Sequence, residues 1–190
     1  MLVSTFELLV KPQLPATITS PPLISSLRRT VIQGYFLNIA NVTNTPVILS
    51  LAFTAVTPSV DINQTFTFLD VGGINVEGDL TPDPAVPGGI RARFNNLTIP
   101  ANDTIQFILQ PDIVRNNGEL LNTQNFELRG YVEIFLAVNS PTRIASLLVT
   151  PEQRATFFKA LNAGGDPQLD QIIYNLPTPN GGSLFTITRE

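Results

Sequence analysis

Cysteine, histidine and tryptophan are absent from this chain of 190 residues, lysine occurs only at Lys11 and Lys159, and charged residues make up 14% of the total. Without cysteine there is no disulfide framework, no thiolate nucleophile and no thiolate site for zinc or an iron–sulfur cluster. Without histidine the commonest general base and transition-metal ligand are missing, as is the side chain that ordinarily titrates between about pH 5 and 8. Ser-His-Asp, Cys-His and His-metal chemistry are therefore excluded. Neither lysine completes a Ser-x-x-Lys motif, which removes the serine–lysine route as well. No cofactor is expected.

Positive charge is also scarce. Eleven Lys and Arg against fifteen Asp and Glu leave a formal charge of -4, which opposes attraction to phosphate backbones or anionic membranes. Nucleic acid is not an expected partner. The best apolar run, near Val47 to Val56, carries Ser50 and Thr54 and falls short of the roughly 18 residues that span a bilayer. The N-terminus lacks a basic region, and Glu7 interrupts its first apolar stretch, so a signal peptide is expected to be absent or already removed, and no integral membrane association is expected. The compartment stays open between the cytoplasm and export without a visible signal.

What the chain does have is apolar residues, 43% of the total, and a mass at which about 70% of the surface can be buried on folding. From Val31 to Val138, β-branched and aromatic runs alternate with clusters of Asn, Asp, Pro and Gly, the pattern of short antiparallel strands. The runs VIQGYFLNIA, PVILSLAFTAV, TFTFLDV, IRARFNNLTI, DTIQFILQP and NFELRGYVEIFLAV each read as a strand. The polar stretch Asn41 to Pro46 suggests that the first two form a hairpin. Alternation places Phe126, Leu128, Val132, Ile134, Leu136 and Val138 on a dry face, with Glu127, Arg129, Tyr131 and Glu133 opposite. Ile90, Ala92 and Phe94 oppose Arg91, Arg93 and Asn95 in the same way. Strands with one dry and one wet face predict a two-sheet antiparallel β-sandwich.

The segment LTIPANDTIQFILQP, preceded by NIANVTNTP, resembles the Ig-like and CARDB-type β-sandwich modules of bacterial surface proteins. The shared pattern is an apolar strand, a turn at Pro100 to Asp103, and a strand with Ile105, Phe107 and Leu109 on one face. The resemblance covers about half the chain, implies kinship of fold, and carries over no functional residue.

The two ends depart from that pattern. Thr150-Pro151-Glu152-Gln153 has the form of a helix start, with Phe157, Phe158 and Leu161 on one helical face and Gly164-Gly165 as a stop. Asp166-Pro167 opens a second start, followed by Leu169, Ile172, Ile173 and Leu176 and halted by Pro177. Two short helices near the C-terminus are therefore predicted, followed by a last strand, Leu184 to Thr188. At the other end, Leu2 to Val10 reads as an apolar strand tethered by a proline-rich tract from Lys11 to Ser26. Extended, that tract reaches roughly 45–50 Å, enough for the strand to pair across the sheet or with a second subunit. The expected organisation is a single domain, 1–190. It divides into the N-terminal strand and tract (1–26), the sandwich core (27–149), and the helical excursion with the last strand (150–190).

Glu127, Arg129, Tyr131 and Glu133 form the most suggestive polar cluster and are the candidate ligand-binding residues, because residues two apart on a strand lie about 7 Å apart and can converge on a ligand. The competing reading is a solvated face of cross-strand ion pairs to Arg91 and Arg93. No residue is assigned a catalytic role. Asp61 with Asn63, Glu77 with Asp79 and Asp83, and Asn116 to Glu119 offer oxygen ligands for calcium, but plain turn chemistry is the preferred reading of these residue types, and no metal is expected. Asn41, Asn63, Asn96 and Asn102 each begin an N-x-Thr triplet, read here as turns and strand ends. Tyr35, Tyr131 and Tyr174 are candidates to stack on sugar.

This inventory predicts a non-catalytic structural or protein-interaction module. Its partners are a protein or a second copy of itself, with exchange of the N-terminal strand as the route to a homo-oligomer. The alternative is a carbohydrate-binding or glycoside-cleaving protein that uses acidic and tyrosine side chains.

Overall fold

The structure is a computed structural model that describes residues 1–14, 28–115, 118–159 and 168–189. Among these residues twelve strands follow one another. They are β1 (Leu2–Pro12), β2 (Thr30–Asn41), β3 (Val47–Thr54), β4 (Thr65–Val71), β5 (Ile74–Gly78) and β6 (Thr81–Pro82). After them come β7 (Arg91–Ile99), β8 (Thr104–Pro111), β9 (Phe126–Leu136), β10 (Ile144–Phe158), β11 (Leu169–Asn175) and β12 (Leu184–Thr188). A 3-10 turn spans Ile62–Gln64, and one short α-helix, α1, spans Glu119–Thr123. No helix among the described residues is long and apolar enough to cross a membrane.

The protein is mainly β and antiparallel, as expected, but it is not the two-sheet sandwich the alternation predicted. The strands form one hydrogen-bonded sheet in the order β5-β4-β8-β2-β1-β9-β3-β7-β6, and β10 joins β2 and carries β11 and β12. The sheet curls into a half-barrel. The cause is β2. One edge pairs with β10 from Thr30↔Phe158 to Asn41↔Leu147. The other edge is divided, with residues 30–33 on β1 and 35–40 on β8. Gly34 sits at the fork, where an added Cβ would lie 3.1 Å from the Gln110 Cβ and 3.3 Å from the Leu109 carbonyl oxygen. Such a close backbone approach is one a glycine permits. Alternation of dry and wet residues is the same for a curled sheet as for two stacked ones, because either way one face is inside.

The inner face closes on an aromatic centre. Phe53 of β3 stacks on Phe107 of β8 with centroids 5.5 Å apart, while Phe6, Tyr35 and Phe94 meet this pair edge-on. Ile105, Phe107 and Leu109 all point inward, as predicted. So do Phe126, Leu128, Val132, Ile134 and Leu136, whereas Val138 lies past the end of β9 and is 83% exposed. The turn expected at Pro100 to Asp103 joins β7 to β8, with Asn102 at φ 56°. The predicted strand Leu184 to Thr188 is β12. The predicted strand over Leu2 to Val10 is β1, which lies between β9 and β2 of its own chain with Val3, Phe6, Leu8 and Val10 buried.

Two expectations about connectivity fail. The hairpin across Asn41 to Pro46 does not form, because β3 crosses to pair with β7 and β9. The fully buried Asn41 holds the turn instead, its amide donating to the carbonyls of Thr45 and Pro100 at 2.8 and 2.9 Å. The two C-terminal helices do not form over the described residues: β10 runs extended through Phe158, and Leu169–Asn175 pairs with it antiparallel as β11. The local helix-start signal loses to strand pairing because β10 gains a ladder on both edges, and its Val149, Thr150, Thr156, Phe157 and Phe158 suit a pleated surface. Leu161, the Gly164-Gly165 stop and the Asp166-Pro167 start lie outside the described residues.

Truncating the aromatic centre should be costly. Phe53→Ala is expected to lower the unfolding free energy by about 3–5 kcal/mol, whereas Val138→Ala should stay within about 0.5 kcal/mol of the parent, both read from urea denaturation.

Candidate functional site

β9 presents Glu127, Arg129, Tyr131 and Glu133 on its outer face, as the alternation predicted, but they do not converge. Glu127 and Glu133 are six residues apart on one extended strand, roughly 20 Å, far beyond the spacing of paired glycosidase carboxylates. The neighbouring strands instead divide the four residues between two sets of ion pairs and a free tyrosine.

The first set lies across β1, β9 and β2. Glu127 accepts from the Lys11 ammonium and pairs with the Arg129 Nη2 at 2.5 Å. Arg129 donates through Nε to Glu7 Oε1 at 2.5 Å, and the Gln33 amide donates to Glu7 Oε2 at 3.0 Å. The strands place these groups in register, since Glu7 lies directly opposite Arg129. The Lys11 bond, followed by the charges of Lys11 and Arg129, holds the Glu127 carboxyl below its ordinary value. The bond to Glu7, reinforced by the charges of Glu7 and Glu127, raises the Arg129 guanidinium. A carboxyl so stabilised as an anion is a poor general acid.

The second set lies across β9, β3 and β7. Glu133 pairs with the Arg91 Nη2, whose Nε donates to the Thr54 hydroxyl at 3.1 Å. The buried Asp83, 5% exposed, accepts from the Arg93 Nε at 2.6 Å and from the Ala85 amide at 3.1 Å. The Arg93 bond is the main reason its carboxyl stays below the ordinary value. Of the cross-strand pairing expected between this face and Arg91 and Arg93, Glu133 makes the contact to Arg91, whereas Arg93 pairs with Asp83, off that face. Tyr131 stands between the two sets, 40% exposed, with no hydroxyl partner among the described residues. The next residue along the strand toward Arg129 is Gly130, whose missing side chain makes room for the Thr54 carbonyl and the Phe6 ring.

The oxygen-rich loops are engaged elsewhere. Asp61 caps the 3-10 turn through the Asn63 amide at 3.0 Å, and Glu77 pairs with Arg115. Asn116 and Asn117 lie outside the described residues. Asn41 is buried at the end of β2, and Asn96 sits in a bulge of β7 at φ 61°. Of the tyrosines, Tyr35 is fully buried, its hydroxyl 3.0 Å from the Ser4 hydroxyl.

Sequence reading did not place Glu7, Lys11 or Gln33 beside β9. The signal was present in part, since Glu7 and Lys11 fall on the outward phase of a strand whose Phe6, Leu8 and Val10 point in. Which strand lies next to β1 is a long-range fact that this phase does not contain.

The lowered carboxyls set the acid limb of stability. Asp83 and Glu127 have folded values below their ordinary 3.8 and 4.5, so their contribution is complete above those values and is lost as pH falls through the lowered ones. The urea midpoint is expected to be flat between about pH 5 and 7, where no histidine titrates, and to fall below pH 4, with a shallower fall in Glu127→Gln. Gly130→Ala should cost about 1–3 kcal/mol by overpacking, read from the same denaturation curves.

No family model matches the chain, and no curated protein matches it; the Ig-like and CARDB-type resemblance finds no support there. Among solved structures, the chain is similar to AvmM, described as catalysing macrocyclization in alchivemycin A biosynthesis. The match has 7% identity and a TM-score of 0.23 and covers 77% of this chain and 79% of that one. At that level the similarity carries no argument.

Proposed function

We propose that the protein is a non-catalytic structural module that associates with a second copy of itself. One observation carries this reading: β11 leaves Leu169, Ile172, Ile173 and Tyr174 exposed at 51, 46, 61 and 43%, on both of its faces. One of its edges is bonded to β10, and the other has no strand partner among the described residues. Apolar edge strands are templates for pairing with another chain, and isolated ones are normally blunted by charge or proline. Here the only charged residue in Leu169–Asn175 is Asp170, and Arg29 already pairs with it.

The strand is also self-complementary. A two-fold axis through Ile172 places Leu169 opposite Asn175, Asp170 opposite Tyr174 and Gln171 opposite Ile173, so no like charges face each other. Exchange of β1 between copies, the other route to an oligomer, would require the partner's strand to take the same place between β9 and β2. Association through β11 needs no refolding, and the ion-paired outer face of β9 fits a scaffold better than a reaction centre.

Sedimentation velocity over a range of concentrations tests this. The parent is expected to populate a dimer, and Ile173→Lys, which puts charge on the edge without touching the core, is expected to shift it to monomer. A parent that is monomeric at every concentration, or a dimer indifferent to the substitution, rejects the proposal.

A further inference from the structure

Where β1 leaves β2, a crevice of about 350 Å³ opens between β1 and β9 on one side and β10 and β11 on the other. Thr5, Glu7, Arg129, Gln153, Tyr174 and Leu176 line it. Gln153 of β10 stands directly opposite Tyr35 of β2 on one side and Tyr174 of β11 on the other, so all three share the inner face of the sheet. The Tyr35 hydroxyl is satisfied by Ser4. Gln153 is not: it is 2% exposed, and its Oε1 is the buried side-chain polar atom left without a hydrogen-bond partner among the described residues. That atom is an acceptor with no donor to meet it, on a residue that lines the crevice. A buried acceptor left unpaired costs about 1–3 kcal/mol, and on β10, where the flanking buried positions Val149, Pro151 and Ala155 are apolar, an aliphatic residue would avoid that cost.

We infer that this crevice is a binding site for a neutral, hydroxyl-rich ligand the size of a single sugar ring, with the Gln153 amide at its floor and Tyr174 at its mouth. Charge decides the class. Glu7 and Arg129, the two charged residues that line it, pair with each other, and Glu127 and Lys11 balance one another beside them, so neither an anion nor a cation finds an unbalanced partner. A wholly apolar ligand would leave Gln153 unsatisfied, whereas a hydroxyl both donates and accepts. Arg129 engages the carboxylates through Nε and Nη2, and its Nη1 remains for a ligand oxygen. Tyr174, 43% exposed, offers its ring to a sugar face, and burial and then Glu7 raise its phenol, keeping it neutral. The volume lies at the small end of ligand pockets, enough for one ring rather than a chain.

The inference is tested apart from self-association, because it rests on Gln153, which lies on β10 between β2 and β11 and takes no part in the free edge. The test is a titration of the full chain with glucose, galactose, mannose, xylose and N-acetylglucosamine up to about 10 mM, tenfold above a weak 1 mM Kd. The backbone amide resonances of positions 153, 174 and 176, present in parent and variants alike, are followed by nuclear magnetic resonance. At least one sugar is expected to shift them saturably. Gln153→Met, which keeps the length and removes the amide, should weaken that sugar at least tenfold without lowering the melting temperature, and Ile173→Lys should leave it unchanged. A melting temperature that falls in Gln153→Met would show the amide to be structural and overturn the inference. So would no saturable shift with any sugar, a bound water only, or binding of inorganic phosphate in place of sugar.

Discussion

The architecture depends on β2 holding two different neighbours on one edge. Residues 30–33 pair with β1, residues 35–40 pair with β8, and the opposite edge is bonded throughout to β10. A strand forked in this way cannot belong to one flat layer. It forces the sheet to fold back on itself, and the inner face becomes a core without a second sheet being needed. Gly34 is the pivot, because a side chain there would press on Gln110 and the Leu109 carbonyl where the two neighbours diverge. The aromatic contacts of Phe6, Tyr35, Phe53 and Phe107 then bridge the two limbs, each contributing burial and ring geometry that a single flat sheet would leave in water.

The same fork shapes the surface. Because β1 leaves β2 after a few residues, its first half borders a gap, and the gap is lined by the charged outer row of β1 and β9 and by the Gln153 and Tyr174 side chains of the other limb. The ion pairs along that row are partly exposed and contribute modestly to stability. Their larger effect is to cancel one another's charge and to hold Glu7 and Arg129 in fixed positions. The other consequence lies at the far edge of β10, where β11 is carried outward with both of its faces in solvent. An edge strand so apolar is costly for a monomer and useful to a protein that joins copies.

Much of the strand content was legible because period-two alternation is a local signal. Phe126 to Leu136 and Ile105 to Leu109 point inward as their spacing demands, and the wet face of β9 is where the alternation puts it. The C-terminal region misled for a physical reason. Thr150-Pro151-Glu152-Gln153 carries a helix-start pattern worth on the order of 1 kcal/mol, but the extended form lets β10 bond to β2 on one side and to β11 and β12 on the other. A local preference of that size does not compete with ladders on two edges. Likewise Asn41 to Pro46 has the composition of a hairpin turn, yet Asn41 is spent tying that turn to the Pro100 turn across the fold.

By itself the amino-acid order determined that the chain is a mainly antiparallel β protein, which residues of β7, β8 and β9 face inward, and that histidine and cysteine chemistry are closed to it; each of these follows from residue type and nearest-neighbour spacing. Only the tertiary structure decided that the sheet is one curled layer, that Glu7 and Lys11 neutralise the β9 cluster, that the Gln153 Oε1 is buried with no partner among the described residues, and that β11 is an edge with no strand partner among them. Those outcomes turn on which distant segments pair. Pairing is selected by the summed burial and hydrogen bonding of the whole sheet, a quantity that no single stretch of sequence contains.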